Sequence, residues 1–242
     1  MARIVVFAAL GWECQPALRA LRGVRREARR DLHAWRGRAG RDEVLVVKTG
    51  MGPQRAAAAA ATVDLTGCMQ VISTGCAGGL AADLQVGDLV VASAVHGDDG
   101  VRDTDATLRA RVLARAAEHG LHIRIGAIRC SATVLGSPAA KRAAAAAGPI
   151  AVEMEGTPLV AAAAAAAVPF LSVRAVLDTA DDDLAVLGHI SDPTSGRVRP
   201  LRLLSHLVGH PQALAQLRTL QRAKRLADDR LSAFFAAWLR QP

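Results

Sequence analysis

Two segments of the sequence carry side chains able to do chemistry on a polar organic substrate. Val152-Glu153-Met154-Glu155-Gly156 places two carboxylates around a methionine in an otherwise apolar stretch. If it is a strand, Glu153 and Glu155 share a face, and two like charges on one face are costly unless they meet hydroxyls, a cation or an arginine. A carboxylate accepts two O–H bonds, so a sugar diol is a fitting partner. Val173 to Asp181 ends a second apolar run in Asp178. A carboxyl at the end of a buried strand is desolvated, keeps its proton to higher pH, and can hand that proton to a leaving group. Arg174, four residues earlier, is positioned to pair with a carboxylate inside the fold.

Two glycine-rich segments supply backbone rather than side chains. Ser73-Thr74-Gly75-Cys76-Ala77-Gly78-Gly79-Leu80 offers a wall almost free of side chains, on which a flat base or sugar can lie. It is not GxGxxG, and no acidic residue follows at the spacing a dinucleotide ribose needs, which argues against a dinucleotide-dependent dehydrogenase. Thr49-Gly50-Met51-Gly52 precedes a helix. Its N–H groups, around Gly52 and with Arg55 nearby, are the place where phosphate or another anion would be held.

These residues need a scaffold. Apolar runs at Ile4–Leu10, Glu43–Lys48, Gln70–Ser73, Gly87–Ser93, Ile123–Cys130, Ile150–Met154 and Pro169–Leu177 read as strands. Helical stretches are read at Pro16–Arg30, Gln54–Leu65, Thr107–His119, Ala139–Ala147 and Thr157–Ala167. The alternation predicts an α/β fold: three αβα layers around a mixed, largely parallel central sheet, with a C-terminal helical extension. The sites then gather beyond the carboxyl ends of the strands. Residues 1–183 form the catalytic core and 184–242 a loop and helical extension of the same domain. Leu214, Leu217, Leu220, Leu231, Phe234, Phe235 and Trp238 recur at helical spacing there, beside Arg218, Arg222, Lys224, Arg225 and Arg230. Such a basic amphipathic helix either lies on a membrane surface or packs on the core.

Composition narrows the classes. The 242 residues are 51% hydrophobic but only 3% aromatic, with no tyrosine. The core must be aliphatic, and the base-stacking surface of a single-strand nucleic-acid binder is not expected. The net charge of +8 admits anionic partners without naming one. Cys14, Cys68, Cys76 and Cys130 form no CxxC pair, so no zinc site is expected, and scattered thiols fit a cytoplasmic protein. The Ala-rich stretches are broken by charges or proline and read as buried helices rather than membrane spans.

Taken in order, T-G-M-G-P-Q-R-A, S-T-G-C-A-G-G-L with V-G-D-L-V-V, A-V-E-M-E-G and V-P-F-L-S-V-R-A-V-L-D-T-A-D resemble the purine nucleoside phosphorylase/nucleosidase superfamily, and in detail the bacterial methylthioadenosine/S-adenosylhomocysteine nucleosidases. The resemblance implies cleavage of the bond between a purine and a ribose. It makes Asp178 the acid that protonates the base and Glu13 the residue that activates water. It makes Met154 and Glu155 the ribose-binding pair, Cys76, Ala77 and Gly78 the wall beside sugar and base, and Thr133 and Val134 neighbours of the base. No cofactor is implied, only water or inorganic phosphate as co-substrate. A homodimer or larger assembly and no nucleic-acid partner are implied.

The chain has Leu177 where those nucleosidases have serine, Cys76 where they have serine, and Thr133 where they have a stacking aromatic. These departures argue against methylthioadenosine itself as substrate. No arginine sits near Ser73 to take phosphate as in hexameric phosphorylases, which favours water. Gly196-Arg197-Val198-Arg199-Pro200-Leu201 and His210-Pro211, followed by the Leu-rich basic helix, resemble the hopanoid-associated subgroup. That resemblance implies a lipid-linked nucleoside, adenosylhopane, and contact with the inner membrane. The alternatives are a general purine nucleoside phosphorylase or methylthioadenosine/S-adenosylhomocysteine nucleosidase and, in another class, a non-catalytic nucleoside-binding protein.

Overall fold

A computed structural model describes residues 3–29, 32–183 and 213–239. Among the described residues ten strands and six helices follow one another. They are β1 (Arg3–Ala8), α1 (Gln15–Arg19), β2 (Arg22–Arg29), β3 (Leu32–Ala39), β4 (Asp42–Lys48), α2 (Pro53–Ala61), β5 (Gln70–Gly79), β6 (Leu89–Gly97), β7 (Gly100–Asp103), α3 (Ala106–Glu118), β8 (Ile123–Cys130), α4 (Pro138–Ala145), β9 (Ala151–Glu153), α5 (Gly156–Ala165), β10 (Phe170–Asp178) and α6 (Ala213–Leu239).

The central strands are apolar on both faces because both faces are covered. On β1, Ile4, Val6 and Ala8 pack with α1, α3 and α6, while Val5 and Phe7 pack with α2 and α5. The three expected layers follow from this alternation. The sheet runs β10-β6-β8-β9-β5-β1-β4-β3-β2, and β10 also pairs with β5. The strands β5, β10, β6, β8 and β9 therefore close into a ring. Ala77, Val90, Ala92, Ile128, Ala151 and Val176, at least one from each strand, pack together inside it.

Two sequence expectations are corrected. Residues 16–30 are not one helix. A short α1 gives way to β2, which pairs antiparallel with β3 at the far edge of the sheet. The arginine spacing that suggests a basic helical face instead serves a charged edge strand, in which Arg36 of β3 bridges Glu27 of β2 and Glu43 of β4. The apolar strand β4 needs a partner on that side, and pairing overrides local periodicity. A charge-rich outer strand also discourages edge-to-edge aggregation. Second, Thr74–Gly79 is not a turn after a short strand. It continues β5, because β10 pairs with it through Gly78 and β9 pairs with Gly78 and Gly79.

The amphipathic C-terminal helix packs on the core. Ala227, Leu231, Phe234, Phe235 and Trp238 of α6 are buried, and the helix lies against α1, β10 and α3. Arg19 fastens it through Asp228 at 2.8 Å and Ser232 at 2.7 Å. From Ala223 to Leu239 its apolar stripe is thus covered by protein. Among the described residues no helix is long and apolar enough to cross a membrane. The hopanoid-like segment 196–201 and His210-Pro211 lie outside the described residues.

Candidate active site

Glu13 sits in the loop between β1 and α1 and is buried. Its Oε2 accepts from the Leu10 N–H at 2.9 Å and its Oε1 from the Cys76 N–H at 2.8 Å. Burial pushes this carboxyl above its ordinary range, and the backbone donors only partly offset that. A carboxylate with a raised pKa is a stronger base. The loop reaches β5 only because residue 75 is glycine. A Cβ there would lie 2.7 Å from Glu13 Oε1, and the backbone φ of +146° is one that side-chain-bearing residues rarely adopt.

Asp178 ends β10. Between Val176 and Asp178 the register against β5 slips, so that Val176 faces Ala77 and Asp178 faces Gly78. This bulge at Leu177 brings the carboxyl beside the backbone of Gly78, a common use of bulges near functional sites. A Cβ on Gly78 would lie 3.2 Å from Asp178 Oδ2. Burial raises the Asp178 pKa, and an ammonium, that of Lys141, opposes the rise. Lys141 is the buried residue of α4, and it donates to Asp178 Oδ2, to the Thr179 carbonyl and to the Asp182 carbonyl. The sequence pattern does not single out Lys141. One lysine in an Ala-rich helix normally points to water, and nothing in Pro138–Ala145 shows which side faces inward.

The two glutamates of Val152–Gly156 diverge. Glu153 closes β9 and turns inward: its carboxylate pairs with Arg174 at 2.7 Å and accepts the Glu155 and Gly156 N–H groups at the start of α5. Arg174 is 1% exposed and also donates to Ser73 Oγ at 2.6 Å. The carboxylate of Glu153, expected to meet substrate, is engaged by the protein. It orients the strand-to-helix turn from which Met154 and Glu155 project. Glu155 is partly open and is pushed up to about 8 by burial first and by Glu153 second. The Gly52 N–H, expected to hold a ligand anion, donates instead to Glu155 Oε1 at 2.7 Å. What the first glycine turn holds is the chain's own Glu155 carboxyl group. Arg55 is exposed on the first turn of α2, folded back against Gly50.

The remaining expected residues fall around this centre. Along β5, Cys76 and Gly78 are partly open, whereas Ala77 turns its methyl into the ring and offers the site only backbone. Thr133 and Val134 lie in the loop after β8, both exposed, with Val134 at 59%. Trp12 precedes Glu13, and the Lys224 ammonium of α6 stands 4.6 Å from its ring centroid. The C-terminal helix thus borders the Glu13 side of the site.

Strand β5 is the ruler of the arrangement. Glu13 meets it at Gly75 and Cys76, and Asp178 meets it at Gly78. Three strand residues span roughly 10 Å. That separation lets one carboxyl address one end of a nucleoside-sized molecule and the second the other end.

The sequence matches the family described as the phosphorylase superfamily over residues 3–209. The chain belongs to the phosphorylase superfamily. Solved structures share this superfamily fold. The 5′-methylthioadenosine/S-adenosylhomocysteine nucleosidase from Neisseria meningitidis, in complex with methylthio-immucillin-A, superimposes with a TM-score of 0.78 at 19% identity, covering 99% of each chain. The S-adenosylhomocysteine nucleosidase from Streptococcus pyogenes gives 0.73 at 22% identity, covering 97% of this chain and 96% of that one. Futalosine hydrolase of Helicobacter pylori gives 0.73 at 19% identity, over 96% and 97%. No curated protein matches significantly.

Proposed function

We propose that the chain cleaves the N-glycosidic bond of an adenine nucleoside, with Asp178 as acid and Glu13 as base. The observation that carries this reading is the pair of buried carboxyls at either end of the open segment of β5, both held above the ordinary carboxylate range by burial. As the bond from base to ribose lengthens, positive charge builds on the sugar and negative charge on the departing purine. Asp178 gives its proton to the purine nitrogen, which removes that negative charge and makes the base a leaving group. Glu13 accepts a proton from water as the water oxygen bonds to the anomeric carbon. Glu155 accepts hydrogen bonds from the ribose hydroxyls, Met154 packs on the sugar, and Thr133 and Val134 flank the base. No cofactor enters the step.

Water rather than phosphate is the proposed nucleophile. The backbone donor at Gly52 is committed to Glu155, and Glu13, as an anion, favours a neutral nucleophile that it can deprotonate. The nucleosidases and the futalosine hydrolase of similar fold are named for hydrolytic activities, which supports the same choice.

For the 5′ substituent we propose the lipid-linked nucleoside adenosylhopane. Support comes from the resemblance of the C-terminal segment, with action on the cytoplasmic side of the inner membrane by a homo-oligomer. Methylthioadenosine is the competing substrate, favoured by the nucleosidases of similar fold.

The test is adenine release from adenosylhopane and from methylthioadenosine, each with and without phosphate. Wild type should release adenine from adenosylhopane without needing phosphate. Asp178→Asn should lower the rate by about 10² to 10⁴. Release that requires phosphate would replace water with phosphate as nucleophile. Release from methylthioadenosine alone would overturn the lipid-linked substrate, and release from neither would leave the scaffold a nucleoside-binding one.

A further inference from the structure

A buried lysine is expensive unless its charge is answered. Lys141 is 0% exposed, on a helix whose other residues are alanines apart from Pro138 and Arg142. An apolar residue there would need no partner. The ammonium is instead matched donor for acceptor: three N–H groups meet Asp178 Oδ2, the Thr179 carbonyl at 2.5 Å and the Asp182 carbonyl at 3.1 Å. The segment that carries these acceptors is fastened a second time, since Asp182 Oδ2 accepts from the Thr179 N–H at 2.7 Å and its hydroxyl at 2.8 Å. The cage fixes the ammonium in place and, with it, the carboxyl it touches.

We propose that Lys141 is the positioning residue of the general acid, holding Asp178 Oδ2 so that Oδ1 presents the transferable proton, and answering the negative charge left on Asp178 when that proton departs. This rests on the glycosidase reading above. The proton moves from Asp178 to the purine nitrogen; Asp178 becomes a carboxylate, and Lys141 stays an ammonium throughout. Its field is in place before the reaction, so it acts on charge that develops during the step, where preorganised electrostatics have most effect. It also limits how far burial can weaken Asp178 as an acid. The other titratable groups facing Asp178 are Asp182 on the following loop and Cys76 on β5. Neither supplies a positive charge, so Lys141 is the cation of this corner among the described residues.

The experiment compares wild type with Lys141→Met, which keeps the stem and removes the charge, and with Lys141→Arg, which keeps a charge. The Asp178 side-chain carboxyl is titrated by carbon-13 NMR in aspartate-labelled protein, its signal assigned by its loss in Asp178→Asn. The pH dependence of adenine release is recorded in parallel. With Lys141→Met, Asp178 should titrate at least one pH unit higher. The alkaline limb of kcat/KM should move up with it, and kcat should fall about 10- to 100-fold while KM changes little. Lys141→Arg should restore part of the shift and part of the rate.

An Asp178 titration and an alkaline limb that stay where they are in Lys141→Met, whatever happens to thermal stability, would overturn the proposal and leave Lys141 a structural tie. Should Lys141→Met not fold, Lys141→Gln carries the same expectations. The two readings fail separately. A wild type that releases no base refutes the glycosidase reading. A wild type that releases base, with Asp178 indifferent to position 141, refutes this one alone.

Discussion

Gly75→Ala isolates the contact by which β5 positions Glu13. An alanine Cβ would stand 2.7 Å from Glu13 Oε1, 3.0 Å from its Cδ and 3.2 Å from Oε2. Ordinary van der Waals contact lies near 3.5 Å, so the carboxylate must retreat by about 0.5 to 1 Å. Retreat breaks the hydrogen bond from Cys76 that fixes Oε1. A 1 Å misplacement of a reacting group costs about 10²-fold. The φ of +146° adds backbone strain of about 1 to 3 kcal/mol. That is a loss a domain stable by roughly 5 to 15 kcal/mol survives.

The strain can be separated from the collision. Gly100, at φ +123°, has nothing within 4 Å of its notional Cβ. Gly100→Ala should therefore show the stability loss without loss of rate. The assay is adenine release at saturating and subsaturating substrate, with urea unfolding of both variants alongside. Equal destabilisation of the two variants, with wild-type kcat in Gly75→Ala, would show that the seat of Glu13 on β5 does not govern the chemistry.

Two further outcomes follow from the buried charges. Glu155, with a folded pKa of about 8 against 4.5 unperturbed, binds its proton more tightly in the fold than in the unfolded chain. Its contribution to stability should be full below pH 4.5, decline as pH rises to about 8, and be flat above, on the order of a few kcal/mol in all. In Glu155→Gln, urea midpoints between pH 5 and 8 should vary less than in wild type, and an unchanged slope would remove Glu155 as its source. Arg174→Met leaves Glu153 buried beside an apolar group, a change that costs about 3 to 5 kcal/mol. Adding Glu153→Gln should recover part of that in chemical denaturation, and a single variant less than 1 kcal/mol down would show that the pair does not hold the turn.

Much of the fold was legible in the sequence because burial writes itself into composition. β1, β4 and β10 are apolar runs since both faces of the sheet are covered there, and α2, α3 and α5 follow strands with recognisable starts. The motif segments pointed to the β5 glycines, Glu155 and Asp178 as candidates, and the family resemblance added Glu13; the structure brings Glu13 and Asp178 against β5. Local pattern failed where a neighbour decided the outcome. β2 is a strand because β3 pairs with it, and Thr74–Gly79 remains extended because β9 and β10 flank it. The tertiary structure alone distributed the roles. It turned Glu153 onto Arg174 and gave the Gly52 N–H to Glu155. It faced Ala77 into the ring and drew Lys141 from an Ala-rich helix to Asp178. The partners lie far apart in sequence, as Gly52 and Glu155 or Ser73 and Arg174 do, so a side chain's type is written in the sequence while its partner is chosen only when the strands close.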